Sequence, residues 1–354
     1  MQSIALYRLP HHTRPMIVVA DDAMTAAFTS VEHLNGRQGF VLSPFKCDIQ
    51  HPVILIQGTP RPYQCGELDH YSFHEGPDAT PEHIQKDTYM KDFDTFVAAI
   101  RKGRFQKLVL SRNTSLSLPV PGQHPVQLFE RACHAYPRMM IALVSTPHAG
   151  TWLMATPEVL LQGKDGQWHT MALAGTMKLT EEMNDFDVPI GNVSRLPQWQ
   201  EKDIREQEVV KAYLHDCLSE ISTYMKQDST TTVRAGALLH LRNIFTFGLQ
   251  DNQHLGHILG RLHPTPAICG MPKQEAFRFI LEHETCRRSY YSGFAGLLQP
   301  EGETHIYVTL RCMQYHPTHC TLYAGGGLMP ESNMENEWTE TAYKMETMKA
   351  CIVR

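Results

Sequence analysis

Between Met139 and Leu179 the chain passes through the apolar stretches MMIALVST, GTWLMATPEVLLQG and WHTMALAGTMKL with only turn residues between them. Strands that follow one another this closely pair antiparallel, because a parallel pair needs a crossover of about a dozen residues or more. The pattern returns near the C-terminus in YYSGFAGLLQP, HIYVTLRCMQ and HCTLYAGGGL, which read as successive strands. This succession predicts an α+β (or α/β) fold with much antiparallel pairing.

Around these strands the remaining elements fall into place. The first hundred residues mix short apolar runs (MIVVA, FVLSP, HPVILIQG) with Gly and Pro breaks. PDATPEHIQKDTYMKDFDTFVAAIRKG reads as a loop and then a helix capped near Thr80, with Tyr89, Phe93, Phe96 and Ile100 on one face. KLVLSRNTSLSL is a strand, FERACHAYP a short helix and TTVRAGALLHLRNIFTFGL a strand pair. The densest helix is QEKDIREQEVVKAYLHDCLSEISTYM. A Pro/Gly loop, RLHPTPAICGMP, precedes the helix KQEAFRFILEHE, and WHTMALAGTMKL reads as a strand entering a Gly turn. No composition shift marks a linker. Residues 1–100 are therefore read as a strand-rich N-terminal part of the same domain, and 101–354 as its core.

Composition excludes several function classes. The net charge of −5 comes without a basic run, which argues against nucleic acid and against a membrane surface. MQSIALYRLPHHTRP lacks the apolar core of a signal peptide, and no apolar run is long enough to span a bilayer, so the expected location is the cytoplasm. The 9 cysteines are scattered singly without a CxxC pair and read as reduced, mostly buried thiols. The 20 histidines include no HExxH spacing, and His11-His12 reads as a surface pair.

A few charged residues sit where burial is expected. Val210 and Cys217 define an apolar stripe on the dense helix, and the stripe continues back to Glu206. A carboxylate there is either a first-turn residue favoured by the helix dipole or a metal ligand facing a cleft. On the last helix Glu337, Glu340 and Lys344 stand at i, i+3 and i+7, beside a seam of Trp338, Ala342, Met345 and Ile352. Glu340 and Lys344 suit a surface ion pair; two helices each presenting a Glu would equally suit Mg²⁺ completed by an anionic substrate. LYAGGGL is a glycine-rich turn or an anion cradle. Arg311 lies in an apolar strand context and either grips a carboxylate or faces solvent. Lys107 alternates with Val109 and Ser111; a surface lysine is the commoner case, but a desolvated amine can act as a base. Glu158, after a Pro turn, is a solvated turn residue or a shielded carboxyl.

In chain order, KLVLSR, ATPEVLL, ALAGT, EKDIREQE, LHPTPAICG, RRSYYSGFAG, VTLRC, AGGGL and ENEWTETAYK resemble the blocks of the chorismate-utilising enzyme family. The resemblance runs from about Phe105 to Met348. It implies one large domain in which two curved, mainly antiparallel sheets sandwich an active-site cleft, with helices outside. It implies Mg²⁺ held by Glu206 and Glu340, with Glu337 beside it or holding its water. Arg311, Lys344 and backbone amides of Gly325, Gly326 and Gly327 would hold the carboxylates of chorismate. Gly175 and Thr176 would line the cleft, Tyr291 would contact the enolpyruvyl side, and His263 would face the reacting ring.

Within this family the resemblance favours isochorismate synthases. Lys107 occupies the position of the lysine that activates water, where ammonia-using members carry Gln. No glutamine amidotransferase subunit is expected, and monomer is the family default. HPTPA resembles the isochorismate synthase loop, with Ala267 and Ile268 where salicylate and anthranilate synthases tend to carry Thr. The implied chemistry has Lys107, neutral in its pocket, as base toward water and Glu158 as acid toward the departing hydroxyl. Two departures from the family pattern stand out: Gln207 in place of a His, and AGGGL in place of a GAG-type sequence. The alternatives are a salicylate synthase, an anthranilate or aminodeoxychorismate synthase component, and a non-catalytic Mg²⁺- or anion-binding protein. Menaquinone synthesis is the expected use of the product, with siderophore or salicylate synthesis as alternatives.

Overall fold

The structure is a computed structural model that describes residues 2–76, 83–119, 123–179 and 199–352. Two sheets dominate it. In spatial order the first contains Gly270–Met271, Lys107–Ser117, His319–Leu328, Cys312–Tyr315, Gly150–Thr156, Met140–Thr146, Gln2–Arg8, Met16–Asp21 and Arg61–Pro62. The second contains Tyr224–Gln227, Leu238–Gly248, Gln167–Lys178, Val159–Lys164, Thr304–Val308, Phe294–Leu298, Gly39–Ser43, Val53–Ile56 and Thr25–Phe28. Thr231–Ala235 also pairs with Leu238–Gly248. Every ladder among the described residues is antiparallel. The first hundred residues feed both sheets, so they are integral to the fold.

The helices are α1 (Lys86–Arg101), α2 (Pro125–Ala135), α3 (Glu201–Ser219), α4 (Leu255–Leu262), α5 (Lys273–His283) and α6 (Met334–Ile352). Alternation along the strands explains their placement. One set of side chains, including Leu108, Leu110, Trp152, Met154, Phe40, Leu42 and Ile54, fills the space between the sheets and takes in Tyr89, Phe93 and Phe96 of α1. The opposite set on the first sheet (Leu143, Leu153, Met313, Leu322) packs on Leu128 and Phe129 of α2 and Met345 and Ile352 of α6. On the second sheet Trp168, Phe245 and Phe247 pack on Val210 and Leu214 of α3 and Leu255 and Leu259 of α4. The order is therefore helices, sheet, shared core, sheet, helices.

Several sequence expectations change. The cap near Thr80 lies outside the described residues, and α1 starts at Lys86. α3 stops at Ser219, and Tyr224–Gln227, expected to begin in helix, is an edge strand beside Leu238–Gly248. α4 lies within a stretch for which no helix was expected; it is short, and its inward side buries Leu255, Leu259 and Leu262. WHTMALAGTMKL does not turn at its glycine: Gln167–Lys178 continues through it, with Gly175 at φ +67° and the register slipping between Ala174 and Met177. AGGGL is likewise strand, opposite Arg112 to Leu108. HIYVTLRCMQ is two strands in different sheets, Thr304–Val308 and Cys312–Tyr315, with Arg311 in the crossing rather than in a strand.

Candidate active site

Two sheet-crossing corners build the site. Pro157 and Glu158 carry the chain from Gly150–Thr156 of the first sheet to Val159–Lys164 of the second. Thr309 to Arg311 carry it back. Arg311 has φ +39°, a conformation that costs a non-glycine residue about 1 kcal/mol or more and is kept where surrounding structure enforces it. A corner residue belongs to neither ladder, so its side chain is free to turn into the gap where the sheets part. Glu158 and Arg311 both line a cavity there.

The same cavity is lined by Val109, Leu173, Gly175, Thr176, Glu206, His240, Ala267, Ile268, Tyr291, Leu310, Tyr323, Gly325, Gly327 and Lys344, drawn from both sheets, α3 and α6. Most of the residues singled out in the sequence thus converge. Glu158 is 2% exposed, and its Oε1 has no hydrogen-bond partner. Burial pushes its carboxyl up to about 8, against the opposing pull of Lys107, Arg311 and Lys344. At neutral pH it is mostly a protonated acid.

Lys107 is fully buried, as its strand position allowed, but it is not isolated. Its Nζ lies 2.9 Å from Glu206 Oε1, without hydrogen-bond alignment. The strand places the amine against the α3 carboxylate. Gly327 explains the closeness, since a Cβ there would strike the Glu206 carboxylate and lie 2.8 Å from Lys107 Cε.

The carboxylates of α3 and α6 lie against neighbouring glycines of the strand, Glu206 against Gly327 and Glu337 and Glu340 against Gly326. A Cβ on Gly326 would come 2.9 Å from Glu337 Oε2 and 3.7 Å from Glu340 Oε1. Glu340 pairs with Lys344 at 2.7 Å. Burial works against its charge, but Lys344 and Lys202 outweigh it and hold Glu340 below its ordinary value. Glu337 is 1% exposed, pairs with Lys202, and accepts from Ser332 Oγ at 2.8 Å. Its Oε2 has no partner, and burial, then Glu340, pushes it up to about 7. Asp203 is raised to about 6 by burial and then by Glu206. Among the described residues no three such side chains converge tightly enough to hold a metal alone.

The strand His319–Leu328 pairs with Cys312–Tyr315 only through Tyr323, so beyond it this edge has no neighbouring strand among the described residues. Alternate backbone groups of Ala324 to Leu328 therefore point toward the cavity. Lys344 Nζ donates to Gly325 O at 2.9 Å. Tyr291 stacks on Tyr323 with ring centroids 5.7 Å apart.

His240 was missed in the sequence. It lies in the apolar strand segment LLHLRN, where burial of an imidazole was the available signal. His240 Nδ1 faces Gly175 O at 2.8 Å, and Nε2 faces an Arg311 Nη2 at 2.8 Å. The carbonyl requires a proton on Nδ1, which leaves Nε2 as acceptor from the guanidinium. Burial, and then Arg311, holds the imidazole down at about 3, so it is neutral. Asp203 and Lys202 were also missed. Asp203 sits one turn before Glu206 on the same stripe, a spacing that could have found it.

His263 does not line the cavity. It caps α4 and packs edge-on against Phe294 at 5.1 Å, and burial pushes its imidazole down to about 3. The loop after it does reach the cleft, at Ala267 and Ile268, because the chain turns through Thr265 O before joining Lys107–Ser117. Lys107, Gly326, Glu337 and Glu340 lie behind the lining.

A cavity between two sheets, lined by the buried acid Glu158 and the cations Arg311 and Lys344, suits an anionic ligand. The chain belongs to the chorismate binding enzyme family, which it matches over residues 67–353. It is 29% identical over 259 residues to the salicylate biosynthesis isochorismate synthase of Pseudomonas aeruginosa, covering 72% of this chain and 52% of that protein. It is 32% identical over 244 residues to the isochorismate synthase EntC of Escherichia coli, covering 68% of this chain and 61% of that protein. The chain thus matches little more than half the length of these relatives. The crystal structure of a putative 2,3-dihydroxybenzoate-specific isochorismate synthase, DhbC, from Bacillus anthracis shares the fold, with TM-score 0.79 and 22% identity over 99% of this chain and 96% of that one.

Proposed function

We propose that the chain is an isochorismate synthase, an isomerase acting on chorismate by adding water at C2 and losing the C4 hydroxyl. The observation that supports this best is a buried, protonated Glu158 lining the cavity, with the buried Lys107 just behind the lining, against Glu206 and Gly327. Lys107 takes a proton from the water that attacks C2. Glu158 gives its proton to the hydroxyl leaving C4, and the two ring double bonds shift between them. The water consumed balances the water released. Binding alone would need neither group.

Arg311 and Lys344 grip the substrate carboxylates, with His240 keeping the Arg311 fork aimed. Tyr291 and Tyr323 wall one side of the cavity, and Ala267 and Ile268 leave its loop side without a hydroxyl.

The donor set suits Mg²⁺, which takes one or two protein carboxylates and completes its shell with water and substrate. Glu337 Oε2 has no partner, and the side-chain-free Gly326 and Gly327 leave room for the carboxylates of Glu337 and Glu340 at the one and of Glu206 at the other. Glu206 and Glu340 would be the ligands, with Glu337 beside them; the ion would bind the ring carboxylate and draw electron density from the ring.

Salicylate synthase, which would add pyruvate elimination, is the second reading; the Pseudomonas relative's name keeps it in view, and Ala267 disfavours it. Chorismate as the small-molecule substrate, a monomeric state without an amidotransferase subunit and a cytoplasmic location are parts of the same proposal. So is menaquinone synthesis as the route that uses the product. Among the described residues no helix is long and apolar enough to cross a membrane. Purified protein given chorismate and Mg²⁺, with products separated by chromatography, tests the reaction; disruption of the gene followed by quinone analysis tests the route.

A further inference from the structure

A fully buried ion pair lies behind the cleft, outside the chemistry described above. Glu284, at the end of α5, and Arg288, four residues on, have side chains 2% and 3% exposed. Arg288 Nε donates to Glu284 Oε2 at 2.6 Å and Nη2 to Oε1 at 2.8 Å, a bidentate fork. The guanidinium has further partners: Nη1 donates to Ile268 O at 2.7 Å and Nη2 to Val109 O at 2.8 Å. Glu284 Oε1 also accepts the Ser111 N–H at 2.7 Å.

These bonds reach two separate segments of the active site. Val109 and Ser111 follow Lys107 on its strand and share its face. Ile268 belongs to the loop that brings Ala267 to the cavity. The two segments are joined directly, since Val109 N donates to Cys269 O at 2.7 Å and Gln106 N to Met271 O at 2.8 Å. The ion pair clamps this junction from behind. A buried ion pair contributes little net stability compared with apolar packing of the same volume. Its geometric effect is specific: a planar fork holds two carbonyls and a carboxylate in one plane, which a lysine cannot do.

We propose that Arg288 and Glu284 are positioning residues that fix Lys107 and the Ala267–Ile268 loop relative to each other. This rests on the reading of the site given under Proposed function. Neither residue lines the cavity, so substrate binding through Arg311 and Lys344 does not depend on them. Lost positioning should appear in the chemical step, where a displacement of about 1 Å costs up to ~10²-fold.

The test compares Arg288→Lys, Glu284→Gln and a control, Phe129→Leu, which disturbs the α2 core on the outer face of the first sheet. Hydrogen exchange of peptides spanning 107–116 and 265–271 is measured together with kcat and KM for chorismate. The expected result is faster exchange in both peptides for Arg288→Lys and Glu284→Gln, and not for Phe129→Leu, with kcat down roughly 10²-fold and KM little changed. Exchange that is unchanged, or raised evenly across the molecule, overturns the proposal, as does a loss confined to KM. Should one variant fail to fold, the other decides. If the wild type does not convert chorismate, the functional reading fails, and the exchange data still show whether the pair holds the two segments together.

Discussion

Glu158 and Arg311 occupy adjoining corners where the chain passes between the two sheets, and each corner is tied to the other. Val308 N–H donates to Glu158 O at 3.0 Å, and Ala155 N–H donates to Arg311 O at 3.1 Å. Thr156 Oγ1 adds a bond to Val308 O at 2.6 Å. The acid and the carboxylate-binding cation are therefore set by one backbone lattice, which keeps their spacing rigid while their side chains enter the cleft.

Removing either proton-handling group should stop the reaction without unfolding the chain. Lys107→Ala and Glu158→Gln are each expected to lower kcat by about 10²–10⁴-fold, the usual scale for a lost general base or acid. Thermal unfolding should remain a single transition in both. Wild-type-like rates would remove that residue from the mechanism.

The Glu158 carboxyl sets a pH limit. With its folded value raised to about 8, it is protonated below that pH and competent as an acid. The rate should fall as the pH rises through about 8. Stability follows the same sign: a carboxyl raised from 4.5 contributes stability fully present below 4.5 and lost as the pH rises toward 8. Wild type should therefore lose stability relative to Glu158→Gln over that window, as read by melting temperature against pH.

Arg311 depends on a neutral histidine. His240→Ala would leave the guanidinium without its acceptor and should weaken chorismate binding by about tenfold or more, consistent with a hydrogen bond to a charged group worth roughly 1.5–3 kcal/mol. Equilibrium binding measured by calorimetry gives the answer; unchanged affinity would mean that the φ +39° backbone alone aims Arg311.

How much of this was legible beforehand varies by element. Strand succession without helices foretold the antiparallel sheets, and helical stripes located α1, α3, α5 and α6. Glu206 and Glu158 stood out because carboxylates interrupted apolar runs. What stayed hidden depended on tertiary geometry. Nothing local says that Thr309 to Arg311 leaves one sheet for the other, since HIYVTLRCMQ alternates like one strand. α4 is too short to show a clear period. His263 and His240 are both buried histidines in apolar surroundings; only packing shows that His240 reaches Arg311 while His263 caps a helix against Phe294. The Lys107–Glu206 pairing joins residues from a strand and a helix far apart in the chain.

The glycine strand offers a test of the proposed metal site that does not require turnover. Gly327→Ala places a methyl group against Glu206 and should weaken Mg²⁺ binding, read by calorimetry with the metal alone. Glu206→Gln and Glu340→Gln should abolish that signal. Retained binding in all three would place the metal elsewhere.

The most direct test of the account is incubation of the purified protein with chorismate and Mg²⁺, in the absence of ammonia and glutamine. The account predicts isochorismate alone, lost on adding EDTA. Salicylate with pyruvate would contradict the reading of the Ala267 loop. No conversion until ammonia is supplied, followed by an aminated product, would contradict the assignment of Lys107 to water.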